Sequence, residues 1–134
     1  MNKRKVKVIV STGTVEDFFK RAHEDAKKMD RRELLPPEIR VTFEDPIEML
    51  RALSVERMRV IKIVQMRHAT KPTVSKLAVM LKRDRKAVSR DVKVLESFGL
   101  LKIREQLNPG HGRMKVVEPL AEKYYLTATI SGQA

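Results

Sequence analysis

The stretch RKAVSRDVKVLESFGLL, running from Arg85 to Leu101, decides how this chain is read. At about 100° per residue, Ala87, Val88, Val92, Val94, Leu95 and Phe98 fall on one arc of a helix. Arg85, Lys86, Ser89, Arg90 and Lys93 fall on the opposite arc. One face is built for burial, and the other offers four cations and a hydroxyl, a combination that suits a helix lying in a major groove. Asp91 falls on the inner arc, where a carboxylate needs a cation. Arg57 or Arg67 is the expected partner, fixing the helix orientation.

Working outward, Lys82, Arg83 and Asp84 read as a tight turn, with Asp84 as N-cap and Gly99 as the helix stop. Pro72 and Thr73 open a preceding helix of about 74–81, with Leu77, Ala78 and Leu81 inward. Ser54 caps a helix of about 55–67 expected to bury Met58, Val60, Ile61, Val64 and Met66. Asp45, Pro46 and Glu48 start a short helix ending near Leu53. Downstream, Leu100–Arg104 and Arg113–Val117 read as two strands, with Asn108, Pro109, Gly110 and Gly112 supplying the turn chemistry of the tip.

The N-terminal region has a different grammar. Val6, Val8 and Val10 alternate in a strand of about 3–10, which Gly13 ends. Thr14 with Asp17 forms a variant capping box for a helix of about 15–32. Its stripe of Val15, Phe18, Phe19, Ala22, Ala26 and Met29 predicts a core face or a dimer interface, and Pro36 and Pro37 end it. Ile39, Val41 and Phe43 then mark a second strand. Two strands and a helix bury too little surface to stand alone. The alternating segment Tyr124–Ile130, or a second copy of the chain, is expected to complete the sheet. A homodimer with a shared sheet is favoured, and a closed monomer with the helix capping the sheet is the alternative.

The expected fold class is therefore α+β. Residues 1–45 form a β-α-β element for dimerisation or partner binding, 46–118 a helical domain with a hairpin, and 119–134 a C-terminal strand and tail that can join the first sheet. The 134 residues are 42% hydrophobic and contain no apolar run approaching the roughly 20 residues of a membrane span. Lys7 interrupts the apolar segment behind the basic N-terminus, so a signal peptide is not expected. The lack of cysteine fits a reducing cytoplasm and excludes thiolate metal sites. The net charge of +12 is unevenly spread: residues 1–45 carry 11 Lys/Arg and 9 Asp/Glu, whereas 82–115 carry 10 and 4. Clustered positive charge attracts polyanions.

The phrase LA…L.RD…V.RDV..LE..GL within Ser75–Ile103 resembles the second and third helices and first wing strand of MarR-like winged helix-turn-helix regulators of archaea and bacteria. The resemblance covers about 46–118. It implies a DNA-binding transcription regulator in which Arg85, Lys86, Ser89 and Arg90 take base-reading positions and His111, Arg113 and Lys115 take wing positions. The short β-α-β element departs from MarR proteins, which use long dimerisation helices there. With the segment Val41–Ser54, the chain also resembles a group of small predicted regulators, some encoded beside toxin genes, which implies an antitoxin role as the alternative.

From the residues themselves, Arg85 and Arg90 are the candidates for base recognition, because guanidinium bonds guanine through two parallel hydrogen bonds. Lys86 and Lys93 suit phosphates. Thr73, Ser75 and Lys76 stand where a helix N-terminus could hold a phosphate. His23, His68 and His111 are too far apart to predict a metal site. No Ser/His/Asp arrangement or paired carboxylates point to hydrolysis, so neither an enzyme nor a cofactor is expected. RNA binding is a further alternative, disfavoured by the few aromatic residues available for stacking. The expected partners are double-stranded DNA, a second copy of the chain and, in the alternative, a toxin protein.

Overall fold

The computed structural model describes residues 6–35 and 37–132. The chain divides into two compact units, one made from its two ends (up to Arg51 and from Lys123) and one spanning Ala52–Glu122. Together they form a mixed α+β structure with five α-helices and two small sheets among the described residues. No helix among them is long and apolar enough to cross a membrane.

In the unit made from the chain ends, β1 (Lys7–Thr12), α1 (Val15–Asp30) and β2 (Glu38–Phe43) form the expected β-α-β element, with α2 (Pro46–Ala52) following. The third strand, β5 (Lys123–Thr127), comes from the same chain. β1 lies in the middle, parallel to both neighbours. Val8 stands opposite Ile39 and Tyr124, and Val10 opposite Val41 and Leu126. Cross-strand partners share a face, so these residues make one apolar side on which Val8 and Val10 are fully buried. Within one chain the third strand is therefore supplied by the alternating segment from Tyr124, the intrachain source expected from the sequence. β5 stops at Thr127, short of Ile130, and Thr129 N–H donates to Thr12 Oγ1 at 2.8 Å.

α1 also departs from expectation. Its capping box is present: the Thr14 hydroxyl accepts from Asp17 N–H, and the Asp17 carboxylate accepts from Thr14 N–H. The helix closes at Asp30, before the prolines, through Arg31 as C-cap and Arg32 at φ 58°. Pro36 and residues 3–5 lie outside the described residues. The apolar stripe is not core, because no α1 residue is buried and Phe18, Phe19 and Met29 are 57%, 64% and 64% exposed.

The Ala52–Glu122 unit comprises α3 (Val55–Arg67), a 3-10 turn at His68–Thr70, α4 (Val74–Leu81), α5 (Arg85–Ser97), and an antiparallel hairpin of β3 (Leu101–Asn108) and β4 (Gly112–Pro119). This order is compatible with a winged-helix-like fold. Val60, Ile61, Val64, Leu77, Val88, Val92, Leu95, Val116 and Val117 form its core. Met58 and Met66 were expected inside, but are 36% and 64% exposed. Both lie at the margins of the α3 stripe, and periodicity assigns a face without fixing how far burial extends around it. Phe98, the C-cap of α5, is likewise 36% exposed.

Asp91 is the buried polar exception. It accepts from Arg57 Nε at 3.2 Å and from Arg83 Nη1 at 2.7 Å. Arg57 was one of the two expected partners. The other, Arg67, is exposed at the end of α3, and Arg83 in the inter-helix turn takes that place. The hairpin is longer than the sequence suggests, pairing from Leu101 with Pro119 out to Asn108 with Gly112. Left-handed backbone is needed in its three-residue tip at Gly110 (φ 84°) and at Gly112 (φ 79°), the first residue of β4, and glycine adopts it without steric cost.

Candidate nucleic-acid interface

Local caps set the site's frame. Thr73 Oγ1 accepts from Lys76 N–H and opens α4, while the Asp84 carboxylate accepts from Lys86 and Ala87 N–H at 3.1 and 3.3 Å and opens α5. Lys82 makes the turn between the helices at φ 53°. Val117 N–H donates to Pro72 C=O at 2.9 Å, which fastens β4 beside the start of α4. The Asp91 ion pairs hold α5 so that its inner arc is buried and its cationic arc faces out.

These constraints create a cleft of about 640 Å³. Thr73, Val74 and Ser75 come from α4; Arg85, Lys86, Ser89, Val92 and Lys93 from α5; Ile103 from β3; and Arg113, Met114, Lys115 and Val117 from β4. Val92 and Val117 are fully buried in its floor, and all five cations on its walls are exposed. No carboxylate lines it. The whole unit carries 16 Lys/Arg against 7 Asp/Glu, a net of +9 over residues 52–122. An acid-free concave surface with five cations, the hydroxyl-bearing start of α4 and the Ser89 hydroxyl is suited to hold phosphodiester oxygens.

Of the eleven residues singled out in the sequence, Thr73, Ser75, Arg85, Lys86, Ser89, Lys93, Arg113 and Lys115 meet in this cleft. Lys76, Arg90 and His111 are exposed but do not line it. Arg113 Nη1 also pairs with Glu105 at 3.2 Å, with both side chains more than half exposed. Such a pair contributes less than about 1 kcal/mol and exchanges readily for a phosphate. The apolar lining of Val74, Val92, Ile103, Met114 and Val117 was not anticipated. Period-two alternation along β4 puts Val117 on the face of Arg113 and Lys115 and could have identified it. Among the described residues no cluster of three or more His, Asp or Glu is arranged to hold a metal ion.

Residues 52–120, half of the chain, match the HVO_A0114 family. The chain belongs to that family. The matched segment contains α3, α4, α5 and the hairpin, so every residue lining the cleft lies in the part that defines HVO_A0114 membership. A solved structure, described as a possible transcriptional regulator from Methanosarcina mazei Go1, aligns at 22% identity with a TM-score of 0.44, covering 55% of this chain and 63% of that one. No curated protein matches the sequence.

Proposed function

We propose that this protein is a sequence-specific, double-stranded DNA-binding transcription regulator, a MarR-like winged-helix dimer that represses its own or a neighbouring operon in the cytoplasm. The observation that carries the reading is the convergence of α5's exposed cationic arc, the start of α4 and strand β4 on one acid-free cleft. In this reading α5 enters the major groove, Arg85 and Ser89 read base edges, Lys86 and Lys93 neutralise phosphates, and β4 follows the flanking backbone as a wing with Arg113 and Lys115. Two copies would place their α5 helices in successive major grooves, about 34 Å apart. The operator is then an inverted repeat. Selecting bound fragments from genomic DNA tests this: enrichment of one palindromic site is expected, and recovery of fragments with no shared sequence would refute it.

A further inference from the structure

We infer that α1 is a self-association surface that pairs antiparallel with α1 of a second copy, the two helices crossing at Ala22. The helix is amphipathic yet buries no residue within its own chain. Tertiary packing of an amphipathic face supplies most of a helix's stability in a folded protein. Something must cover that face, and the sequence of α1 specifies what.

Five of the six apolar residues are spaced symmetrically about Ala22, with Phe19 at the edge of the stripe: Val15, Phe18, Ala22, Ala26 and Met29 follow intervals of three, four, four and three. An antiparallel pair centred there brings positions equidistant from Ala22 to the same height. Phe18 then meets the partner copy at the small Ala26, Val15 meets Met29, and the two Ala22 residues face each other. Large side chains lie against small ones, which lets two helices approach closely. The flanks agree. On one side of the stripe stand Glu16 and Lys27, and on the other Arg21 and Asp25. A two-fold axis places like flanks together, so Glu16 approaches Lys27 of the second copy and Arg21 approaches Asp25. The acidic first turn and basic last turn of α1 also align with opposed helix dipoles. A parallel pair would instead set the two acidic first turns (Glu16, Asp17) together and the two basic last turns (Lys27, Lys28) together, with the helix dipoles aligned side by side. The match is to this helix itself rather than to an arbitrary apolar partner.

The inference supplies the interface for the dimer of the proposed function, and takes its biological sense from that reading, but its test does not depend on DNA. The chain has no cysteine, so Ala22→Cys in the full-length protein reports on one position. Under mild oxidation it is expected to form a covalent dimer, because the facing Cα atoms come within disulfide range. Phe18→Cys is expected not to, since its two copies lie eight residues apart along the axis, about 12 Å. Wild-type protein is expected to sediment as a dimer, and Phe18→Glu as a folded monomer with unchanged thermal unfolding of the Ala52–Glu122 unit. Equal cross-linking at both positions would overturn the antiparallel pairing. A dimer that Ala22→Cys does not cross-link would place the interface elsewhere. A monomeric wild type would leave α1 to a protein of different sequence. Duplex binding measured on the same samples separates the two readings: wild-type protein that fails to cross-link at Ala22 yet binds its site loses only this interface.

Discussion

Asp91 holds its carboxylate between the guanidinium groups of Arg57 from α3 and Arg83 from the turn before α5, and so sets the rotation of the helix on which the cleft depends. Replacing it with alanine leaves two partly buried cations without their shared acceptor. Asp91→Ala is expected to cost about 2–4 kcal/mol in urea unfolding; a loss below about 1 kcal/mol would show the ion pairs to be incidental. The need for a partner, and Arg57 as one choice, were legible from Asp91's place on the inner arc. Arg83 was not, because only the backbone path of the turn brings it to α5. The cationic arc divides in a similar way. Arg85 lines the cleft whereas Arg90, equal to it in the sequence pattern, does not. Arg85→Ala is expected to weaken binding to the selected duplex by about 1–3 kcal/mol and to a permuted duplex by less, with Arg90→Ala costing both alike. The reverse ranking would move the base-reading surface toward the far side of α5.

At the scale of elements, the features readable from sequence are those fixed by a few neighbouring residues. The caps at Thr14, Ser54, Thr73 and Asp84 each close on an amide two or three residues away. The parallel pairing of β1 with β5 joins residues more than a hundred positions apart, and alternation in either strand says nothing about that register. The α1 stripe was legible as an apolar face, but periodicity cannot say whether its cover lies in the same chain. The α1 cap also carries a pH dependence. Hydrogen bonds from the Thr14 backbone and then its side chain, with smaller help from Arg21 and Lys20, hold the Asp17 carboxyl below its ordinary value. A lowered carboxyl pKa favours the folded helix above the unfolded-chain value, and the contribution disappears as pH falls through the lowered value. Far-UV circular dichroism from about pH 6 to about pH 2 should show wild-type helicity falling with an acid limb that Asp17→Asn lacks. Superimposable curves would contradict the cap's role.

For the whole molecule, charge is concentrated where the fold concentrates the cleft, with a net of +9 on residues 52–122 out of +12 overall. The concentration of positive charge was legible in the sequence but the acid-free lining was not, because it results from carboxylates such as Asp84 and Asp91 being engaged in capping and in the buried ion pairs. If phosphates are neutralised by Lys86, Lys93, Arg113 and Lys115, the affinity must fall steeply with salt, and each cation removed should flatten the log–log slope by about one. The most direct measurement is a fluorescence-anisotropy titration of the full-length protein against its genome-selected duplex and a permuted duplex of the same composition at two salt concentrations. A preference of at least about a thousandfold for the selected site, abolished together with much of the salt dependence when Arg85, Lys86 and Lys93 are all replaced by alanine, is the predicted result. Equal affinity for the two duplexes, or unchanged binding by the triple variant, would contradict it.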